Sequence, residues 1–182
     1  MSRRLDLAAV VPVAALLVVI GIAAVPGPKP PPPRPVAAPT VPTTAEPPRP
    51  AEVQKIITDL NAHQSDAGLV VPLPESVLFD FNKADVRPDA VPTLAKVAEL
   101  LAYYGGANVE VRGHTDDVGD PAFNLALSGR RATAVRDYLV GTAGIPADRF
   151  VVKALGETQP VVPNDTEQHR QQNRRVEVVV LG

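Results

Sequence analysis

The sequence has no cysteine and no tryptophan, and only 4% of its 182 residues are aromatic. Without cysteine, this sequence cannot form disulfides, thiolate metal sites, a cysteine nucleophile or a lipidated cysteine. We therefore expect any attachment to a membrane to come from a polypeptide segment. Its three histidines, His63, His114 and His169, do not have the spacing of a zinc pair. The sequence thus predicts no metal and no other cofactor.

The motifs of common enzymes are also missing. No serine lies in a nucleophile elbow, and there is no Gly-rich phosphate loop. Asp116 and Asp117 are adjacent, so on an extended segment they would diverge rather than act as an acid–base pair. From residue 51 onward there are thirteen Lys and Arg residues and eighteen Asp and Glu residues. The resulting net charge of −5 would repel a phosphate backbone. We predict neither an enzyme nor a nucleic-acid-binding protein.

Residues 1–25 are predicted to form a transmembrane anchor or a signal segment. Arg3 and Arg4 precede an uncharged run from Leu7 to Val25, which is about long enough to cross a hydrocarbon core of roughly 30 Å. The apolar region of a cleaved signal peptide is normally shorter, about 7–15 residues. The length therefore favours an uncleaved anchor, and the two arginines before the run, with none just beyond it, favour an inside N-terminus. Either segment predicts export of the remaining chain.

Residues 26–50 are predicted to be a linker, because twelve of the 21 prolines fall there. Such a composition cannot bury a core. It favours an extended, semi-rigid tether that reaches at most roughly 75 Å at about 3.1 Å per residue.

Residues 51–66 contain a short amphipathic helix in the prediction. Within Ala51–His63, the apolar residues Val53, Ile56, Ile57 and Leu60 recur at helical spacing. Three roles stay open at this point. The helix could pack on the following domain, associate with a second copy in a homodimer, or continue the tether.

Residues 67–182 predict one α+β domain, in which a mixed sheet carries helices on one face. Alternation and turn residues place Phe79 and Phe81 on one face of a strand, and Pro72 suggests that its own strand lies at an edge. The predicted strands are Leu69–Leu73, Ser76–Phe81, one that starts at Val109, Phe150–Ala154 and Arg175–Leu181; the predicted helices are Arg87 to about Tyr104, one opened by Asp120 and Pro121, and one begun by Thr166.

The stretch Val109–Leu139 places polar side chains where a structural helix would be apolar. Asn124, Ser128 and Arg131 share one stripe of the predicted helix, because spacings of four and seven residues return to the same face. Long helical side chains lean toward the N-terminus, so Arg131 can reach toward the loop that holds Asp116. Two interpretations follow: a site for a ligand that carries both charges, or a buried Asp116–Arg131 ion pair that ties down the loop.

Three segments resemble the OmpA C-terminal domain family: LFDFNKADVRPDA at 78–90, VEVRGHTDDVGDPAFNLALSGRRATAVRDYL at 109–139, and the stretch 144–178 that contains NRR. The family includes peptidoglycan-associated lipoproteins and the B subunit of the flagellar stator. The resemblance implies an OmpA-like two-layer βαβαβ-type fold over 67–182. It also implies a pocket that grips diaminopimelate of the peptidoglycan stem peptide. The family's binding positions fall on Asp116 and Arg131, on Thr115 and Asn124, and on one arginine of the pair Arg174 and Arg175.

The resemblance therefore implies non-catalytic peptidoglycan binding that tethers a membrane-anchored protein of the cell envelope to the cell wall. An alternative is a stator-like subunit of an ion-driven membrane complex, for which Asp6 is the candidate intramembrane acid. A porin is not expected, since the region before the linker lacks the many alternating strands of a barrel.

Overall fold

The computed structural model describes residues 50–182, so the predicted anchor, the linker up to residue 49 and Asp6 lie outside the described residues. Within this part of the chain, no helix has the length and apolar character needed to cross a membrane. Residues 50–182 contain five strands and five α-helices in this order: α1 Pro50–Asp59, β1 His63–Ser65, β2 Gly68–Pro74, α2 Glu75–Leu78, α3 Val91–Tyr103, β3 Val109–His114, α4 Pro121–Gly141, β4 Phe150–Gly156, α5 Glu167–Asn173 and β5 Arg175–Leu181.

The strands form one mixed sheet in the order β1-β2-β5-β3-β4, as the α+β prediction requires. The β3–β4 pair is parallel and is connected through α4, whereas β5 runs antiparallel to both β2 and β3. Alternate residues of the central strands, such as Val111 and Val178, share the core with Leu94 of α3 and Leu139 of α4. Helices α3 and α4 therefore pack on one face of the sheet, and this packing places α4 over β3.

The predicted edge position of Pro72 holds for its part of strand β2 but not for the whole strand. Strand β2 lies between β1 and β5, but β1 pairs with Gly68–Val70 alone. Pro72 therefore lies beyond the short β1, where its missing N–H leaves no gap in a ladder on that side.

Helix α1 packs on the domain, which is one of the three roles that its sequence left open. Val53 and Ile56 are buried in the same core as the α3 side chains, and Asp59 pairs with Lys96 of α3 at 2.7 Å. The helix is shorter than predicted, because the chain turns at Asn61, whose φ is +51°. The residues that follow form β1 instead of a last helical turn.

The predicted strand Ser76–Phe81 is wrong. Helix α2 covers the first half of this segment. The one β-type contact in the segment is an isolated bridge between Phe79 and Val86. Phe79 is 2% exposed and Phe81 is 83% exposed, so the two rings do not share a face. Leu78 and Phe79 are both buried, which a helical turn allows and an alternating strand does not. The alternation of apolar and polar residues covers only three positions, which is too short to distinguish a strand from a helical turn.

On the sheet face opposite the core, Glu177 lies between the basic side chains of His114 and Arg175. Arg175 Nε is 2.8 Å from Glu177 Oε1, and His114 Nε2 is 3.5 Å from Glu177 Oε2. Burial alone would raise the pKa of Glu177, but the hydrogen bonds and charges of His114 and Arg175 outweigh it and lower the pKa to about 2.

We expect Glu177 to stabilise the fold above pH 4.5 and to lose this contribution as the pH falls toward 2. The folded pKa lies below the ordinary value of 4.5, so the contribution is on the order of 3 kcal/mol at neutral pH. Urea unfolding at pH 7 and pH 3 should show that Glu177→Gln destabilises the chain much more at pH 7. The exposed Glu99→Gln serves as control. An equal effect of Glu177→Gln at both pH values would contradict this assignment.

Candidate functional site

The loop between β3 and α4 is fixed at both ends. Thr115 N donates at 2.9 Å to the carbonyl oxygen of Gly156, the last residue of β4. Asp120 caps α4, because its Oδ1 accepts from Phe123 N at 2.9 Å and Pro121 takes the first helical position. This start of α4 was predicted from the Asp-Pro pair, and it is confirmed.

Asp116 lies at the centre of this loop and is 7% exposed. Its Oδ1 accepts from Val118 N at 3.2 Å, and its Oδ2 pairs with Arg174 Nη1 at 2.5 Å. Asn124 supports the loop from α4, since its Nδ2 donates to Asp116 O at 3.3 Å and to Val118 O at 3.1 Å. The same Nδ2 lies 2.9 Å from Glu157 Oε2. These bonds hold the Asp116 carboxylate in one orientation.

Arg131 is the next polar residue of the α4 stripe and is 2% exposed. Its Nη2 donates to Glu75 Oε1, and its Nε donates to Lys83 O at 2.9 Å. Its guanidinium carbon lies 5.5 Å from the centre of the Phe79 ring, in a cation–π arrangement. Burial lowers the pKa of Arg131, while the Glu75 carboxylate works in the opposite direction. The guanidinium nevertheless stays charged at any ordinary pH.

Arg174 joins these two groups. Besides Asp116, it contacts Glu75 Oε2 at 3.5 Å through Nε and Glu167 Oε1 at 2.6 Å through Nη2. Burial alone would lower the pKa of Arg174, but the hydrogen bonds to Glu167 and Asp116 outweigh it and raise the pKa. The carboxylates of Glu75, Asp116 and Glu167 thus form one network of ion pairs with the guanidinium groups of Arg131 and Arg174. The direct Asp116–Arg131 pair, one of the two sequence-based interpretations, is not what forms: each residue has a different partner.

These side chains line one cavity of about 520 Å³. Five of the six residues predicted from the sequence are in its wall: Thr115, Asp116, Asn124, Arg131 and Arg174. The hydroxyl of Thr115 is buried and has no hydrogen-bond partner among the described residues.

Arg175, the sixth predicted residue, lies elsewhere. It bonds Glu177, Asn173 O at 3.1 Å and Gln159 O at 3.3 Å, and it lines a different groove on the opposite sheet face. Neighbouring residues at the start of a strand point to opposite sides, so only one of the two arginines can reach the cavity.

Sequence reasoning missed eight residues of the cavity wall: Glu75, Phe81, Asn82, Val118, Gly119, Phe123, Leu127 and Glu167. Glu75 was hidden by the wrong strand assignment, since it lies in α2. The sequence places the Phe81 ring on the same strand face as Phe79, whereas the structure exposes it at the cavity. Two signals were available: Pro74 directly before an acidic residue is typical of a helix start, and Asn82 suits the left-handed backbone that it adopts, with φ of +57°.

Asn173 fixes the segment that leads into Arg174. Its side chain is fully buried, its Oδ1 accepts from Val161 N at 2.9 Å, and its Nδ2 donates to Val162 O at 2.8 Å and Asn164 Oδ1 at 2.7 Å. The first residue of the NRR motif is therefore a structural support for the loop at 161–164.

We expect Asn173→Ala to lower the free energy of unfolding by about 1–3 kcal/mol, because it removes a buried side chain whose hydrogen bonds fix the partly buried backbone of the loop. Urea denaturation measures this loss. Gln172→Ala, at the exposed neighbouring position, is the matched control and should change stability by less than about 0.5 kcal/mol. Equal effects of the two substitutions would show that the loop does not depend on Asn173.

No group of three or more His, Asp or Glu side chains within residues 50–182 is arranged to hold a metal ion.

Comparison with known proteins places the site in a family context. The OmpA family model matches residues 78–174, more than half of the chain, and this span includes Asp116, Arg131 and Arg174. The chain is 38% identical to the peptidoglycan-associated lipoprotein of Rhizobium meliloti over 118 residues, which are 65% of this chain and 66% of that protein. Other curated relatives, at 40–42% identity, are much longer, and the chain spans only 15–34% of their length.

Two solved structures have the same fold. A MotB-like protein from Desulfovibrio vulgaris superposes with a TM-score of 0.64 at 30% identity, over 72% of this chain and 90% of that one. The cell wall anchor of the T6SS from Pseudomonas aeruginosa superposes with a TM-score of 0.62 at 33% identity, over 75% of this chain and 99% of that one.

Proposed function

We propose that this chain, which belongs to the OmpA family, binds peptidoglycan non-covalently in the Asp116–Arg131 cavity and serves as a cell-wall anchor of the cell envelope. The observation that carries the proposal is the placement of a fixed carboxylate and a fixed guanidinium in the wall of one cavity. The names of two relatives, a peptidoglycan-associated lipoprotein and a cell wall anchor, support it. No named relative cited above is an enzyme, which supports a binding role without catalysis.

The ligand end that fits such a wall is the side-chain terminus of diaminopimelate, with an ammonium group and a carboxyl group on one carbon. Asp116 would accept the ammonium, and the planar fork of Arg131 would bind the carboxyl end. Thr115 adds a hydroxyl without a hydrogen-bond partner among the described residues, and the first N–H groups of α4 favour a ligand anion. Asn124 holds the loop and so fixes the Asp116 orientation.

Sedimentation with purified sacculi tests the proposal. The full chain in mild detergent should sediment with diaminopimelate-containing sacculi, and a stem tetrapeptide that contains diaminopimelate should release it. The same tetrapeptide with lysine in place of diaminopimelate has the side-chain ammonium but not the side-chain carboxyl group, so it is the matched competitor and should release less. Failure to sediment, or equal release by both peptides, would contradict the assignment of the ligand.

The exposed Phe81 at the cavity rim should add binding energy through its ring. We expect Phe81→Ala to weaken binding to sacculi by about 1 kcal/mol, because the ring would cover the aliphatic part of the stem peptide. Val161→Ala removes an exposed apolar side chain of the other groove and should leave binding unchanged. If Phe81→Ala binds like the wild type, the stem peptide does not cross this rim.

Residues 1–25 would attach the chain to a membrane, and residues 26–50 would span the distance to the wall. Both assignments come from the sequence. Protease treatment of intact spheroplasts tests them: the domain should be cut away while a membrane-bound N-terminal fragment remains. A chain that is released intact from spheroplasts would contradict the anchor.

A stator-like subunit remains the second candidate, because of the similarity to the MotB-like protein from Desulfovibrio vulgaris. The wall-binding site would then hold an ion-conducting complex in place. An ion flux that is lost in Asp6→Asn, with sacculus binding retained, would favour this candidate.

A further inference from the structure

Glu75 occupies a position in the cavity that changes what Arg131 can bind. The bond from Arg131 Nη2 to Glu75 Oε1 joins two buried side chains, so the guanidinium already faces a carboxylate before any ligand enters. Glu75 lies outside the span 78–174 of the family match. The family match therefore assigns no role to Glu75, and its effect on the site follows from its contacts in this structure.

The second oxygen of Glu75 offers an acceptor to a ligand. Glu75 Oε2 is buried and has no hydrogen-bond donor among the described residues, and its nearest cation is Arg174 Nε at 3.5 Å. The cavity wall thus places a guanidinium donor directly beside a carboxylate acceptor. The ligand group that complements both is one that can accept and donate at once.

A carboxamide meets this requirement, and a carboxylate does not. The amide oxygen can accept from Arg131 while the amide N–H₂ donates to Glu75. A carboxylate can only accept, so it would bind Arg131 and face the like charge of Glu75. The charge balance points the same way: Glu75, Asp116 and Glu167 against Arg131 and Arg174 give the cavity a net charge of −1. An amidated ligand end keeps its ammonium, carries one positive charge and neutralises the cavity.

We propose that Glu75 makes the site selective for stem peptides in which the side-chain carboxyl group of diaminopimelate is amidated. The ammonium binds Asp116, and the carboxamide bridges Arg131 and Glu75. This selectivity rests on the proposed peptidoglycan-binding function, and it assigns to Glu75 a specificity role at the same cavity.

Calorimetric titration of the full chain with two synthetic stem tetrapeptides tests the proposal. The peptides differ only in a carboxylate or a carboxamide at the diaminopimelate side-chain end. The wild type should bind the amidated peptide at least about tenfold more tightly, because the Glu75 carboxylate repels the carboxylate of the other peptide. Equal affinities, or tighter binding of the carboxylate peptide, would overturn the selectivity and leave peptidoglycan binding intact. Binding of neither peptide would overturn both.

Two variants separate local pairing from overall charge. Glu75→Gln removes the negative charge and replaces one acceptor oxygen with an N–H₂ donor, so the preference should disappear or reverse toward the carboxylate peptide. Glu167→Gln removes the same charge from the cavity away from Arg131, so the preference for the amidated peptide should persist. Loss of the preference in both variants would show that net charge alone sets it and would contradict the bridging role of Glu75.

Discussion

Alanine in place of Asp116 or Arg131 is expected to weaken binding to peptidoglycan by about 2–5 kcal/mol. The loss is large because the ligand's ammonium would lose the Asp116 carboxylate, or its carboxyl or carboxamide group would lose the Arg131 guanidinium. Binding of a stem tetrapeptide, followed by calorimetry, measures the effect. Each substitution has a matched neighbour: Asp117→Ala and Arg130→Ala remove the same charge from an exposed position that does not line the cavity.

Both substitutions also break internal ion pairs, so stability must be measured alongside. Without Arg131 the Glu75 carboxylate stays buried, and without Asp116 the cation of Arg174 loses a partner. Asp116→Asn and Arg131→Lys keep most of the side-chain volume and serve where an alanine variant unfolds. Wild-type affinity in folded variants at both positions would refute the binding assignment, as would equal losses in the two neighbouring controls.

Gly113→Ala should be the most destabilising single-methyl change at the site, at about 3 kcal/mol or more. A Cβ on Gly113 would lie 2.0 Å from Ser128 O and 2.6 Å from Ser128 C, both in the backbone of α4. Strand β3 and helix α4 would have to separate, which also shifts the loop that holds Asp116. The matched control is Gly141→Ala at the end of α4, where a Cβ meets no atom within 4 Å.

Urea denaturation of both variants measures this contrast. Gly141→Ala should leave the free energy of unfolding unchanged or raise it by less than about 1 kcal/mol, because alanine restricts the unfolded chain. Similar stabilities of the two variants would mean that β3 and α4 can move apart at little cost. The close approach at Gly113 would then not be what fixes the cavity.

Local sequence rules predicted the parts of the site that one element determines. The Asp120-Pro121 start of α4 follows from capping chemistry alone. The polar stripe of α4 follows from helical spacing, which places Asn124 and Arg131 on the buried side. The mixed sheet follows from the order of strands and helices. The loop and the helical spacing also pointed to Asp116, and the resemblance to the OmpA family added Thr115 and one arginine of the NRR motif.

What the sequence could not predict depends on contacts between distant segments. The partner of Arg131 is Glu75, 56 residues away, and the partner of Asp116 is Arg174, 58 residues away. No local pattern encodes such pairs, so the simpler Asp116–Arg131 pair remained an option. The choice between Arg174 and Arg175 required the strand register. Phe81 was misplaced because a short alternation of apolar residues is also compatible with a helical turn.

The most direct test of the central claim is a crystal structure of the chain with a bound stem tetrapeptide that contains diaminopimelate. We expect the ligand's ammonium to lie within hydrogen-bond distance of the Asp116 carboxylate, with the carboxyl or carboxamide group of the same carbon at Arg131. Density for the peptide in the groove beside Arg175, with Asp116 and Arg131 in contact only with their internal partners, would contradict it.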